Sequence, residues 1–209
     1  LGSNDPEVEK RGMEIMEKAI QLAEDLGIRI IQLAGYDVYY EDSSFETKKR
    51  FLKNLKKATH MAEKAGVVLG FETMETEFMN TVEKAMKYTT LVDSPYLNVY
   101  PDIGNITNAA IEYKNDVLED MMIGKGHLCA MHLKETVPGK FREIPFGTGH
   151  VNFKEAIALA WQLGIRKYVT EFWYVGNENW KEDLVFAHDM FEKMLDEQMT
   201  GKDEKNVES

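Results

Sequence analysis

The stretch Val67-Val68-Leu69-Gly70-Phe71-Glu72 is an uncharged run of strand-forming residues that ends in a carboxylate. A short apolar run of this kind is typical of a strand buried on both faces of a parallel sheet. Three later runs share the design, each following a helical pattern and ending at a polar residue: 97–101 before Asp102, 128–131 before His132, and 168–170 before Glu171. The repeated pattern predicts strands that deliver polar groups to one edge of a parallel sheet.

Strand-like and helix-like segments alternate along the whole chain. The predicted strands cover 28–34, 67–72, 96–101, 128–133 and 167–173. The predicted helices run from Asp5-Pro6-Glu7 to Gly27, over 45–65, over 78–92, near 112–123 after a long loop, over 153–163, and from about 178 to 199. This alternation predicts an α/β fold with a parallel sheet, either doubly wound or closed as a (β/α)₈ barrel.

The number of strands narrows the prediction. A TIM barrel has eight strands and usually about 250 residues, whereas this chain shows five predicted strands in 209 residues. We therefore expect the last five βα units of a TIM (β/α)₈ barrel, without the three N-terminal units. Residues 1–200 form this part in the prediction, and the polar segment 201–209 is predicted to be a disordered tail.

Charge and composition limit the function classes. A net charge of −11 argues against a nucleic-acid-binding surface, which needs clustered positive charge. The single cysteine, Cys129, excludes an internal disulfide and fits a reducing cytoplasm. No run approaches the about 20 apolar residues of a membrane span, and no signal-peptide pattern opens the sequence. A cytoplasmic protein with a small-molecule substrate is the expectation.

The polar residues at the strand ends predict a metal site. Glu72, Asp102, His132 and Glu171 follow one another at intervals of about one βα unit, so a barrel would bring them to one rim. Three oxygen donors and one imidazole suit a divalent cation such as Mn²⁺ or Zn²⁺. Taken singly, each residue has another interpretation: a carboxylate paired with a buried base, a turn cap at Asp102, or a core histidine.

Five further residues are candidates for substrate binding. Asn105 could bind a substrate hydroxyl or serve only in a turn, and Lys134 could neutralise an enolate or a phosphate or be a surface cation. Gly147 and Gly149 could offer N–H groups to a phosphate or form a flexible turn. Trp173 belongs to an aromatic group that could line a sugar site or pack in the core.

Several segments together resemble one family. They are 32–39, 70–75, 100–105, 131–136, 145–149 and 170–173. In these segments, and over nearly the whole chain, the sequence resembles the L-ribulose-5-phosphate 3-epimerases, also called hexulose-6-phosphate isomerases, among the xylose isomerase-like TIM barrels.

The resemblance implies a site and a reaction. Glu72, Asp102, His132 and Glu171 would bind one divalent metal ion, Mn²⁺ or Zn²⁺ first and Mg²⁺ or Co²⁺ as alternatives. Glu72 and Glu171 would be the acid/base pair on opposite sides of C3. The reaction would convert L-ribulose 5-phosphate to L-xylulose 5-phosphate through a cis-enediolate, and the assembly would be a homodimer.

Other functions remain open at the level of sequence. An aldose–ketose isomerase or an epimerase of unphosphorylated ketoses would use the same kind of site. An apurinic endonuclease of the same fold would need more histidines than His132 supplies and a less acidic surface. A non-enzymatic metal-binding fragment would follow if a barrel of five strands could not close.

Overall fold

Helices and strands alternate through residues 1–201, the part of the chain that the structure, a computed structural model, describes. The helices are α1 Pro6–Leu26, α2 Phe45–Ala65, α3 Val82–Val92, α4 Ile103–Tyr113, α5 Val117–Ile123, α6 Phe153–Gln162 and α7 Trp180–Thr200. The strands are β1 Ile30–Ala34, β2 Val68–Glu72, β3 Leu97–Tyr100, β4 Met131–Leu133 and β5 Tyr168–Thr170. The predicted α/β class and the alternation of helices and strands are confirmed.

All strand pairs are parallel and follow chain order. β1, β2 and β3 form one sheet, in which Ala34 pairs with Glu72 and Glu72 with Tyr100. β4 and β5 form a second sheet. Two isolated parallel bridges, from Val99 to Leu128 and from Asp102 to His132, connect the second sheet to the first. Within residues 1–201, β1 and β5 each have one neighbouring strand, so the barrel is not closed there.

The core has two apolar clusters that meet near the start of the β4 segment. The first lies between β1–β3 and helices α1–α3, around Phe51, Leu69 and Phe71. The second lies between β4–β5 and helices α4–α7. Leu128 packs against both clusters. The sheet is therefore supported from the helical side along its length, which fixes the strand ends that carry the polar residues.

Local sequence signals set the helix boundaries. Asp5 caps α1 by accepting a hydrogen bond from the Glu7 N–H at 2.8 Å, and Ser44 begins α2 with a capping box. Gly27 and Gly66 end α1 and α2 with φ values of 71° and 66°, a region that glycine enters without steric cost. The short turns after these glycines lead directly into β1 and β2.

Several predicted boundaries were wrong. Residues 103–111, expected in a loop, belong to the separate helix α4, and the helix predicted from residue 78 begins at Val82. The last two strands are shorter than expected, since β4 covers only Met131–Leu133 and β5 only Tyr168–Thr170. The shift at α4 matters most, because Asp102 becomes the N-cap residue of a helix.

Two other predictions concern membrane-spanning helices and the C-terminal tail. No helix within residues 1–201 is both long and apolar enough to span a membrane. The predicted disordered tail lies, apart from Gly201, outside the described residues.

Candidate metal centre

The four strand-end residues come together at one point. One donor atom from each of Glu72, Asp102, His132 and Glu171 can be chosen so that all four atoms lie within 4.8 Å of one another. Three backbone features converge on this point: β2 ends at Glu72, Asp102 bridges to His132, and the Glu171 N–H donates to the Leu133 carbonyl at 2.9 Å. Parallel pairing therefore brings together side chains from four separate segments.

Contacts around His132 test whether this cluster fits a cation. Its Nδ1 lies 2.7 Å from Glu72 Oε1, 2.8 Å from Glu171 Oε2 and 3.9 Å from Asp102 Oδ2. One ring N–H cannot satisfy three carboxylates, and carboxylates this close repel one another. Asp102 Oδ2 and Glu171 Oε2 are also buried without a hydrogen bond of good geometry. The donor set therefore fits a divalent cation.

The electrostatics of the cluster agree with this conclusion. Burial alone would lower the pKa of His132, but the contacts with Glu171 and Glu72 raise it to about 9. Burial would raise the pKa of Glu171, but His132 and Lys134 lower it to about 2. Burial raises the pKa of Asp102, and the ammonium of Lys134 opposes that rise. The cluster thus holds a proton on His132 among its carboxylates.

Asp102 has two roles in the geometry. Its side chain is fully buried, and its Oδ1 accepts a hydrogen bond from the Asn105 N–H at 2.9 Å, which caps α4. Its Oδ2 lies in the cluster, 2.7 Å from Lys134 Nζ. The turn-cap and metal-ligand interpretations of Asp102 are therefore compatible.

The predicted substrate-binding residues lie in different surroundings. Lys134 is 4% exposed and extends into the cluster, with Nζ 3.7 Å from Glu171 Oε1. Asn105 is fully buried beside Asp102, and its Nδ2 donates to the Thr73 carbonyl at 2.8 Å. The Trp173 ring lies 5.8 Å from Lys134 Nζ, at the edge of the site.

Gly147 and Gly149 serve the structure of their own loop. The Gly147 N–H donates to the buried carboxylate of Glu135 at 3.1 Å, and that carboxylate also accepts from the Val151 N–H at 3.2 Å. A Cβ added at Gly149 would lie 2.2 Å from the Thr136 carbonyl oxygen. The Gly147 N–H, which was predicted to bind a phosphate, is therefore bonded to Glu135 instead. The Glu135 carboxylate also places a negative charge beside this N–H group.

Two residues at the site were not predicted from sequence. The Gln32 Nε2 donates to Glu72 Oε2, and the Tyr100 ring packs edge-on against His132 with 4.7 Å between centroids. Gln32 pairs with Gly70, which shares a strand face with Glu72 and has no side chain to block the contact. A polar residue inside the apolar β1 run was the signal that could have identified Gln32.

A second acidic group exists on α7. His188, Asp189 and Glu192 also approach one another, but all three are exposed to solvent. Exposed acidic groups of this kind are common without a bound ion. Burial and convergence from different strands distinguish the cluster at His132.

A comparison with known families matches residues 1–190 to the xylose isomerase-like TIM barrels. The chain belongs to this family. It is 43% identical over 190 residues to a protein of Escherichia coli O17:K52:H18 named L-ribulose-5-phosphate 3-epimerase UlaE, and equally to the protein of that name from Shigella sonnei. The match covers 90% of this chain and 66% of each relative, so the chain spans just under two thirds of their length.

Solved structures support the fold of this family member. A D-tagatose 3-epimerase-like protein superposes with a TM-score of 0.79 at 18% identity, covering 94% of this chain and 73% of the other. An L-ribulose 3-epimerase gives 0.68 at 21% identity, with 88% and 62% covered. A TIM barrel protein from Mycobacterium smegmatis, in complex with magnesium, gives 0.66 at 17%, with 86% and 68% covered. These similarities establish the TIM barrel fold.

Proposed function

We propose that this protein is a metal-dependent isomerase. It inverts C3 of a ketose phosphate and so converts L-ribulose 5-phosphate to L-xylulose 5-phosphate. The observation that supports it best is the pair of carboxylates of Glu72 and Glu171, which come from different strand ends and lie 2.7 and 2.8 Å from His132 Nδ1. Epimerisation needs proton transfer on both faces of one carbon, and two positioned carboxylates can provide it. The relatives that share 43% identity carry the name of this activity.

The metal ion is part of the proposal. Glu72, Asp102, His132 and Glu171 would hold one divalent ion, with Mn²⁺ or Zn²⁺ favoured and Mg²⁺ or Co²⁺ as alternatives. When bound, it would supply Lewis acidity that makes the proton on C3 of the ketose more acidic. The remaining chemistry depends on side chains of this chain.

Proton transfer is assigned to the two glutamates. One carboxylate removes the C3 proton, and the other, as a carboxylic acid, delivers a proton to the opposite face. The contact from Gln32 orients the Glu72 carboxylate, and Lys134 places a positive charge beside Glu171. The same ammonium would stabilise negative charge that develops on the substrate oxygens. Reversal of the two roles performs the reaction in the other direction.

Exchange of the C3 proton tests the proposal directly. The metal-loaded, full-length protein is expected to incorporate deuterium at C3 of L-ribulose 5-phosphate in D₂O and to form L-xylulose 5-phosphate, because both faces of C3 receive protons from exchangeable carboxyl groups. NMR would follow both products. Treatment with a chelator should stop the exchange, and added metal should restore it. Absence of C3 exchange in the metal-loaded protein would contradict the epimerase proposal.

The pKa of His132 predicts how metal binding depends on pH. Below about 9, the metal-free protein holds a proton on His132, and a metal ligand must be the neutral imidazole. Metal affinity should therefore increase with pH between 7 and 9, by up to about tenfold per pH unit for one displaced proton. Calorimetric titration in buffers of different ionisation enthalpy would count the released protons.

Two variants make the pH test specific. His132→Gln should bind metal weakly and lose this proton release. His188→Gln is the control. The pKa of His188 is also raised, by Asp189 and Glu192, but its side chain is exposed on α7, so this variant should behave as the unmodified protein. An affinity that does not change between pH 7 and 9 would argue against His132 as a ligand.

A cytoplasmic location is part of the proposal, because a sugar phosphate is an intracellular type of substrate and Cys129 is a free thiol. The expected homodimer stays a prediction.

A further inference from the structure

A buried threonine connects the two segments that carry Glu72 and Asp102. Strands β2 and β3 lie side by side, and Glu72 with Tyr100 is the last pair of their ladder. Just beyond that pair, the Thr73 hydroxyl accepts a hydrogen bond from the Asp102 N–H at 2.9 Å and lies 3.5 Å from the Asp102 carbonyl oxygen. The Thr73 side chain therefore continues the connection between the strands where the regular ladder ends.

Asn105, in the first turn of α4, completes this connection. Its Nδ2 donates to the Thr73 carbonyl at 2.8 Å, and its backbone N–H donates to Asp102 Oδ1 at 2.9 Å. Thr73, Asp102 and Asn105 are all 0% exposed, so water does not compete for these hydrogen bonds. Asn105 thus contacts both the residue that follows Glu72 and the carboxylate of Asp102.

The first turn of α4 is also held on its other side. Gly104 packs against the segment after β4, and a Cβ added to it would lie 2.7 Å from Thr136 Cγ2. The buried Thr136 hydroxyl donates to the Gly104 carbonyl at 3.2 Å. The backbone that carries Asn105 is therefore fixed between two neighbouring strand ends.

These hydrogen bonds counter a strain within the metal centre itself. Carboxylates that share one cluster repel one another, which favours separation of the segments that carry them. The bonds of Thr73 and Asn105 oppose that separation without using an oxygen that faces the cluster. Because Asp102 Oδ1 is held by the Asn105 N–H, Oδ2 is the oxygen that remains beside His132 and Lys134.

We propose that Thr73 and Asn105 are positioning residues, which hold the carboxylates of Glu72 and Asp102 at the spacing that one divalent ion needs before the ion binds. This inference rests on the proposed function, since it concerns the metal centre of that function. It also gives Asn105 a role different from the substrate contact expected from sequence, because its amide donor is bonded to Thr73 and it acts through Asp102.

Calorimetric titration of Mn²⁺ into the chelator-treated, full-length protein tests this role. Thr73→Val keeps the shape of the side chain but removes the hydroxyl. It is expected to weaken Mn²⁺ binding by about 10–100-fold, the range for groups that support a metal ligand. Asn105→Ala should weaken binding within the same range, whereas Thr73→Ser keeps the hydroxyl and should retain most of the affinity.

Thr59→Val is the matched control. Thr59 is 1% exposed, and its hydroxyl donates to the Leu55 carbonyl at 2.9 Å within α2. The same substitution there also removes a buried hydroxyl, but it should leave Mn²⁺ affinity unchanged. The Tm of each metal-free variant shows that the titrations are made on folded protein. If Thr73→Val does not fold, Asn105→Ala supplies the decisive comparison.

Kinetics at saturating Mn²⁺ separate positioning from substrate contact. Once the ion is bound, Asn105→Ala should keep the KM for L-ribulose 5-phosphate within about twofold of that of the unmodified protein. A raised KM with unchanged Mn²⁺ affinity would instead make Asn105 a substrate-binding residue and overturn its positioning role. The titration needs no turnover, so it decides the role of both residues even if the protein proves not to be an epimerase.

Two outcomes of the titration would overturn the proposal. One is unchanged Mn²⁺ affinity in Thr73→Val and Asn105→Ala while the unmodified protein binds the ion. The other is an equal loss of affinity in Thr59→Val, which would attribute the effect to general destabilisation. Absence of Mn²⁺ binding by the unmodified protein would refute the metal centre itself, and this inference with it.

Discussion

Glu171→Gln is expected to lower the rate of C3 epimerisation by about 10²–10⁴-fold, the range for loss of a positioned proton-transfer group. The amide keeps an oxygen that can face a metal ion, but it cannot accept or deliver the proton. Epimerisation assays in both directions, together with metal analysis of the purified variant, would measure the effect. Glu77→Gln is the matched control, because Glu77 is an exposed glutamate near the site and should retain full activity.

The two-carboxylate arrangement makes a sharper prediction for the variant. With Glu72 intact, Glu171→Gln should still exchange the C3 proton of the epimer whose C3–H faces Glu72, without inverting that carbon. Glu72→Gln should exchange the other epimer only. Deuterium exchange into each epimer, followed separately, would reveal this opposite selectivity. If both variants exchanged the same epimer, Glu72 and Glu171 could not serve opposite faces of C3.

The convergence of the site residues could be predicted from sequence because it depends on a general property of parallel strands. Glu72, Asp102, His132 and Glu171 each follow an apolar run, and the carboxyl ends of neighbouring parallel strands lie at one edge. The structure brings these four side chains together as expected. Their role as metal ligands stays a prediction, which the affinity measurements address.

Helix α4 could not be predicted because its sequence is locally unfavourable. Gly104, Asn105, Thr107 and Asn108 all have low helix propensity, so the segment resembles a loop. Tertiary contacts stabilise the helix instead. Asp102 caps its first turn, and Gly104 packs so closely that an added Cβ would lie 2.7 Å from the Lys134 carbonyl oxygen. The local sequence pattern does not show such tertiary contacts.

The hydrogen bond from Arg142 Nη2 to Glu75 Oε1 could not be predicted from the sequence for a related reason. The two residues are separated by 67 positions and lie in loops without periodicity. Sequence spacing predicts which strand ends are neighbours, but not how the long loop between β4 and α6 folds back over them. The glycine pattern of that loop suggested a phosphate site, whereas the structure shows its Gly147 N–H bonded to Glu135.

Asp102→Asn is expected to weaken metal binding by at least about 100-fold, more than the 10–100-fold typical of residues that only support a ligand. The change is nearly isosteric and leaves an oxygen to cap α4, so the helix should remain. It removes the charge that faces Lys134 and His132 in a fully buried position. Metal titration and the metal-dependent rise in Tm would both report the loss, because ligand stabilisation depends on free metal relative to Kd.

A second helix cap separates the two roles of Asp102. Asp116 caps α5 by accepting hydrogen bonds from the N–H groups of Leu118 and Glu119 at 2.8 and 2.9 Å, and it is exposed. Asp116→Asn should therefore cost a similar small amount of stability and leave metal affinity unchanged. If Asp102→Asn bound metal as tightly as the unmodified protein, Asp102 would be only a helix cap and a counterion for Lys134. The metal centre would then rest on Glu72, His132 and Glu171 alone.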